Sequence, residues 1–237
     1  MKYALFAYDF PHKKTKDFIL TLEYFGYKLA CIVAAPYVKL NIPQPKIRTS
    51  VHESELLHPR DLAKLFGIPY FVMPHNSAEC IGILKKSKID IGIIGGARIL
   101  SQDVINAVQY GIINFHPGLI PENRGLDNLK WAIYMGIPQG VTSHFIDKRV
   151  DAGRVIIRKI VQIYSDDTLF DIQQRLYETQ LELIDPTLKL VQIRSLEDFK
   201  LITGGESRTV MPEHLERKIP EMFETYLKKF GLNKEEE

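Results

Sequence analysis

Ile89-Asp90-Ile91-Gly92-Ile93-Ile94-Gly95-Gly96, then Ser101 to Val108, then Ile112-Ile113-Asn114-Phe115-His116, is the stretch that decides how the chain reads. It places two short apolar runs on either side of a segment that opens on a helix-capping serine, Ser101. Both runs are apolar almost throughout, as strands covered on two faces are. Strand, helix, strand in that order implies a right-handed crossover between parallel neighbours.

The same tempo recurs upstream. Tyr3 to Tyr8 is a buried strand that stops at Asp9, and Thr15 to Phe25 carries Phe18, Ile19, Leu22 and Phe25 at helical spacing, with Gly26 as a natural stop. Lys28 to Ala35 is a second buried strand, and Pro36 to Pro45 is a Pro-rich loop. Asp61 to Phe66 reads as a short helix, Tyr70 to Met73 as a strand and Ser77 to Lys86 as a helix. Downstream the tempo changes: Gly140 to Asp147 and Arg154 to Ile163 are strands with only a short loop between them, which suits an antiparallel pair at one sheet edge. Asp167 to Val191 is predicted as one long amphipathic helix, capped from Ser165-Asp166-Asp167-Thr168 and ended or kinked by Pro186. Beyond Arg194 the pattern is less regular, with Gly204 to Arg208 as loop, Glu221 to Phe230 as a closing helix and Lys234 to Glu237 as a frayed tail. The expected fold is therefore α/β, a mostly parallel, doubly wound sheet over residues 1–192, with a small C-terminal appendage over residues 193–237.

A chain of 237 residues, 45% hydrophobic and 25% charged, is an ordinary globular composition that needs no disulfide or metal staple. Lys and Arg number 31 against 29 Asp and Glu, and a net charge of +2 speaks against a nucleic-acid partner. Lys85-Lys86 with Lys88 reads as a solvated helix end. Cys31 and Cys80 lie in apolar stretches without Cys-x-x-Cys spacing, so they are expected as buried free thiols in a reducing compartment. The N-terminal apolar run is too short for a signal peptide, and no run approaches the roughly 18 apolar residues of a membrane span. A cytoplasmic protein with no membrane contact is expected. No His/Cys cluster has ligand spacing, so no metal site is expected.

Ligands on an open parallel sheet bind beyond the carboxyl ends of the strands. There the chain reads Asn114-Phe115-His116-Pro117-Gly118-Leu119-Ile120-Pro121. Side chains two apart share a face of a strand, so Asn114 and His116 point the same way and Phe115 the opposite way. An amide and an imidazole side by side can donate to a developing oxyanion. Val150-Asp151-Ala152-Gly153, between the last two strands, supplies a carboxylate able to orient and charge a histidine. Taken as residues alone, the trio is equally readable as a packed histidine, a turn-capping asparagine and ordinary Asp-Ala-Gly turn chemistry.

Asn114-Phe115-His116-Pro117, Leu119-Ile120-Pro121, Arg124-Gly125, Gly140-Val141-Thr142, His144-Phe145 and Asp151-Ala152-Gly153 together resemble the catalytic core of the folate-dependent formyltransferases, most closely the sugar N-formyltransferases. The resemblance implies a Rossmann-like fold and transfer of a formyl group from 10-formyltetrahydrofolate to an amine. It implies that Asn114 and His116 hold the formyl oxygen and that Asp151 orients and charges the histidine. It further implies that Ala97, Arg98, Ile99 and Leu100 line the folate pocket and that the loop from Asp147 through Val150 to Asp151 reads the pterin ring. His144 matches a position near the site, and is equally readable as a packed strand residue. Two departures bear on the acceptor. Asp9-Phe10-Pro11-His12-Lys13 has no glycine where the glycinamide ribonucleotide branch has a glycine-rich phosphate loop. The chain also has no room for the extra barrel of the methionyl-tRNA branch. The expected acceptor is thus a small amine, a nucleotide-linked amino sugar, with Asn123 and Arg124 reaching it and Arg124 suited to a diphosphate. A homodimer is compatible with this reading. Rival readings are a 10-formyltetrahydrofolate hydrolase, a glycinamide ribonucleotide or methionyl-tRNA formyltransferase, a folate binder without turnover, and a nucleotide-binding module, the last weakened by the missing Gly-x-Gly-x-x-Gly after the first strand.

Overall fold

The computed structural model describes residues 1–39, 43, 45–50 and 56–233. Lys234 to Glu237, expected as a tail, and part of the Pro36-to-Pro45 loop lie outside the described residues. In chain order the elements are β1 (Tyr3–Tyr8), α1 (Lys13–Tyr24), β2 (Leu29–Ala35), α2 (Pro59–Phe66), β3 (Tyr70–Val72), α3 (Ala78–Ser87), β4 (Ile91–Ile94), α4 (Gln102–Ile105) and β5 (Gly111–His116). There follow β6 (Arg124–Gly125), α5 (Asn128–Met135), β7 (Gly140–Ile146), β8 (Gly153–Ile160), β9 (Ile163–Tyr164), α6 (Leu169–Glu182) and α7 (Ile184–Ile193). The last elements are β10 (Lys200–Leu201), β11 (Ser207–Arg208), α8 (Glu213–Glu216), α9 (Ile219–Phe230) and β12 (Gly231–Leu232).

The main sheet runs β10-β8-β7-β5-β4-β1-β2-β3. From β5 to β3 every neighbour is parallel, and β7, β8 and β10 add antiparallel strands at the other edge. Alternation along each strand divides the core between two faces. Leu5 and Ala7 join Phe18, Ile19 and Leu22 of α1 and Ile172 and Leu176 of α6 on one side. Ala4 and Phe6 join Cys80 and Leu84 of α3 and Val104 of α4 on the other. The sheet is therefore doubly wound, and both cysteines are buried free thiols. No helix among the described residues is long and apolar enough to cross a membrane.

Several elements differ from the sequence expectation, and three bear on how the site is framed. Only Gln102–Ile105 of the expected 101–108 helix is helical, because Gln109 and Tyr110 leave it to donate to the Ile89 and Asp90 carbonyls and bring Gly111 into line beside Ile91. Ser101 makes no side-chain cap; its N–H donates to Asn76 Oδ1 instead. The expected 167–191 helix is two helices meeting at Leu183, since Pro186 cannot donate to the carbonyl four residues back. The helix α5 was not anticipated: Leu129, Ala132 and Ile133 are buried at helical spacing, but a buried Lys130 interrupts the apolar pattern.

Residues after Ile193 return to the main body. The β10 strand extends the sheet edge, β11 pairs with β6, and Tyr226 Oη donates to the Ile137 carbonyl at 2.7 Å. Glu216 is 2% exposed and Lys130 3% exposed, so neither charge is tolerable alone. Their ion pair at 2.9 Å is closed by Asp127, 2.7 Å from Lys130 Nζ, and by the Lys46 and Ile47 N–H groups on the Glu216 carboxylate. Lys130 would keep Asp127, but the Lys46 and Ile47 N–H groups would lose their acceptor, so replacing Glu216 by Leu should lower the unfolding free energy by about 2 kcal/mol. Urea denaturation measures this, and a change within the noise of a surface substitution would contradict this docking.

Candidate active site

The chain leaves β1 towards β2 and β3 on one side and returns through β4 and β5 on the other, so the carboxyl ends of β1 and β4 bound a crevice where the winding reverses. Such switch points are where open α/β sheets hold ligands. A cavity of about 450 Å³ lies there. Tyr8, His12 and Lys14 line it from the β1–α1 side, Gly96 and Ala97 from the end of β4, Asn114 to Pro117 from β5, and Asp151 from the β7–β8 turn.

The key geometry comes from unequal strand lengths. The β5 strand pairs with β4 only as far as Ile113 opposite Ile93, yet with β7 it pairs on to His116 opposite Thr142. Asn114, Phe115 and His116 therefore overhang the crevice, held from one side only. Phe115 points into the core, edge-on to Phe18 with ring centroids 5.5 Å apart. Asn114 and His116 point to the other face. Past the strand, Thr142 Oγ1 donates to the Gly118 carbonyl and accepts from the Ile120 N–H, which pins the following turn.

Asp151 meets both side chains. Its Oδ1 lies 3.4 Å from His116 Nδ1 and accepts from Asn114 Nδ2 at 3.2 Å, while Oδ2 accepts from the Gly125 N–H at 3.0 Å. Asp151 takes a left-handed φ of 43°, tolerable for an aspartate in a tight turn. Burial works against its charge, but His116, His144 and the Gly125 N–H more than compensate and bring the carboxyl down to about 2. His116 is buried, and its Nε2–H donates to the Asn123 carbonyl at 2.8 Å, which leaves Nδ1 as the nitrogen facing Asp151 and the cavity. His144 stands opposite Asn114 across the β5–β7 ladder. Its Nδ1–H donates to the Ala152 carbonyl at 3.0 Å, so Nε2 faces the Asn114 amide at 3.5 Å. Burial, and then His116 beside it, lower His144 to about 4, so it stays neutral.

The structure thus brings Asn114, His116 and Asp151 together. The expected acceptor contacts are not among them. Arg124 is buried with its guanidinium turned from the cavity: Nε and Nη2 donate to the Val150 carbonyl and Nη1 to the Gly204 and Gly205 carbonyls. It ties the Asp151 turn to the C-terminal stretch and has no fork to offer a diphosphate. Asn123 is buried too, donating to the Asn128 carbonyl. The structure places both within the scaffold behind the cavity. Of the expected folate segment, Ala97 lines the cavity and Ile99 is 68% exposed, while Leu100 is core and Arg98 donates to the Val38 carbonyl. Asp147 is ion-paired with Arg149, and the Val150 carbonyl is held by Arg124. His12 and Lys14 line the cavity without having been singled out. The rule that ligands sit where the winding reverses points at the turn after β1, but Lys13-Lys14 has the look of a solvated helix start.

A family model described as Formyl transferase matches residues 49–187. The chain is 31% identical over 135 residues to a methionyl-tRNA formyltransferase of Pelotomaculum thermopropionicum, covering 56% of this chain and 43% of that protein. It is 30% identical over 128 residues to the phosphoribosylglycinamide formyltransferase of Bacillus subtilis, covering 50% of this chain and 66% of that protein. The chain thus spans about two fifths of the length of that methionyl-tRNA formyltransferase and of the one from Chlorobium limicola. A sugar N-formyltransferase structure from a Shewanella species superposes with a TM-score of 0.60 at 19% identity, covering 89% of this chain and 77% of that one. At that identity the likeness is one of fold.

The neutral, buried His144 makes stability pH-dependent in a defined window. Unfolded, it takes a proton near its ordinary 6.5; folded, it resists until about 4. It therefore contributes stability that is full above about 6.5 and is lost as pH falls towards 4. In His144→Gln, urea midpoints compared across that window should fall less than in the wild type. An equal fall would show that His144 does not carry this dependence.

Proposed function

The chain belongs to the formyl transferase family, and from that premise we propose that it moves a formyl group from 10-formyltetrahydrofolate to the amine of an amino sugar carried on a nucleotide. The observation that carries the reading is Asp151 held within 3.4 Å of the His116 imidazole and 3.2 Å of the Asn114 amide on the overhanging end of β5. Both contacts are long for charge-assisted bonds, so the two donors can turn from Asp151 to an oxygen entering the cavity.

The surroundings fit the formyl donor. Ala97 offers an apolar wall and Ile99, two residues on, an exposed apolar side chain. Bound there, 10-formyltetrahydrofolate supplies an activated one-carbon unit. The protein's own part is electrostatic. Asn114 Nδ2 and the His116 Nδ1–H donate to the formyl oxygen as negative charge builds on it, a contribution of roughly 3–4 kcal/mol per donor in comparable sites. Asp151, ionised down to about pH 2, holds the imidazole aimed into the cavity. His116 Nε2 is anchored on Asn123, so only Nδ1 is free to swing its proton toward the substrate.

Two features favour a small acceptor. The first turn of α1 is closed by its own cap, with His12 accepting from the Thr15 N–H, and Tyr8 and Phe10 stack at 5.0 Å in the preceding turn. A glycine-lined phosphate cradle is not built at that position. The near-balanced charge is a poor match to a tRNA.

Assayed with uridine- and thymidine-diphosphate amino sugars as acceptors, Asn114→Ala, His116→Ala and Asp151→Asn should each lower kcat by at least about a hundredfold. Donor affinity, measured by calorimetry, should stay within about threefold, as befits groups acting in the transition state. Near-full turnover in His116→Ala would refute the mechanism.

A further inference from the structure

Lys14 stands in the first turn of α1 and lines the same cavity as the trio. Its Nζ donates to the Phe115 carbonyl at 3.1 Å, the peptide oxygen between Asn114 and His116, on the part of β5 that no longer pairs with β4. On its other side the ammonium lies 5.1 Å from the Phe18 ring. Among the described residues no carboxylate lies within ion-pairing distance of it. An amine placed between a carbonyl and an aromatic ring is poorly solvated, and burial lowers Lys14 to about 8 although Asp151 across the cavity pulls the other way.

The chemistry needs such a group. An aliphatic amine arrives largely as its ammonium ion, which has no lone pair to attack with. The other titratable groups facing the cavity do not suit the task. Asp151, at about 2, is too weak a base. His12, lowered to about 4 by burial and then by Lys14, is equally weak, and its Nδ1 is held on Thr15. His144 is buried behind Asn114, and His116 is the donor to the formyl oxygen. Lys130 and Asp127 are paired with each other, and Tyr8 is raised above its ordinary value.

We propose that Lys14 Nζ is the base that takes a proton from the acceptor's ammonium group, an assignment that rests on the formyl-transfer reading above. The acceptor R–NH3+ gives one proton to neutral Nζ. The lone pair so freed forms the N–C bond to the formyl carbon, and the carbonyl π pair moves onto the oxygen held by Asn114 and His116. As that pair returns, the C–N bond to the folate breaks, and the second amine proton passes to the departing nitrogen through water. Lys14 then releases its proton to solvent. Overall, one ammonium and one formyl donor give one formamide, one tetrahydrofolate and one proton. Burial, which favours the uncharged amine, lets Lys14 take up and release this proton more readily than an exposed lysine would.

A structural lysine and a basic one are separated by three variants assayed with diphosphate amino sugars. Lys14→Met should lower kcat at neutral pH by at least about a hundredfold with the donor KM little changed, as expected for loss of a proton-transfer group. Lys14→Arg keeps the charge and the bond to Phe115 but cannot give up its proton, so it should fall as far. In Lys14→Cys, aminoethylation should restore turnover and move the acidic limb of the kcat profile to lower pH, because the sulfur lowers the amine's pKa. Cys31 and Cys80, both fully buried, leave the new thiol as the one to react. Wild-type turnover in Lys14→Arg, or an unmoved limb in the aminoethylated enzyme, would overturn the proposal while leaving formyl transfer intact. Absence of transfer to any amine by the wild type would instead refute the reading on which it rests. Trace acetylation of the wild type across pH, read by mass, needs no variant: a Lys14 midpoint near 8 supports the assignment, and an ordinary lysine midpoint overturns it.

Discussion

The carboxylate of Asp151 is the interaction on which the site depends. It is charged and largely buried, which is costly unless donors surround it. They come from two separate segments: Asn114 and His116 at the tip of β5, and the Gly125 N–H at β6. Each of these would be a weak constraint alone. Converging on one charge, they fix where the amide and the imidazole stand. Arg124 supports the arrangement from behind, gripping the Val150 carbonyl on one side and the Gly204 and Gly205 carbonyls on the other.

That convergence requires backbone no other layout would supply. The β5 strand must outrun β4, so that Asn114 and His116 project over an open crevice, and the antiparallel β7 must continue alongside to keep the overhang straight. The turn after β7 must then fold back tightly. At Gly153, with φ 113°, an added Cβ would sit 1.9 Å from the Phe145 carbonyl oxygen, so only glycine lets β8 leave the turn beside β7. The mixed parallel and antiparallel sheet is what brings a loop from the edge strands to the carboxyl end of a central one.

Much of this was legible in the sequence, for identifiable reasons. Strands buried on both faces announce themselves as apolar runs, and β1, β2 and β4 read cleanly. Period-two alternation put Asn114 and His116 on one face, where the structure has them. The order of motifs supplied Asp151 as their companion. What escaped were features settled by distant partners. Arg124 read as a diphosphate contact because the carbonyls it grips are 26 and about 80 residues away. The α5 helix was obscured by Lys130, which is buried only because Glu216 meets it from far along the chain. Lys14 was hidden in a pair of lysines, and only the tip of β5 reveals which of the two faces inward.

Where the formyl carbon goes is the most direct test of the account. The wild-type protein would be given 10-formyltetrahydrofolate labelled at the formyl carbon, with and without diphosphate amino sugars, and the label followed by mass in both acceptor and free formate. The account predicts label on the amine of an acceptor sugar and almost none in formate when no amine is present. Formate released at the same rate with or without an amine would contradict it, and would make water the acceptor.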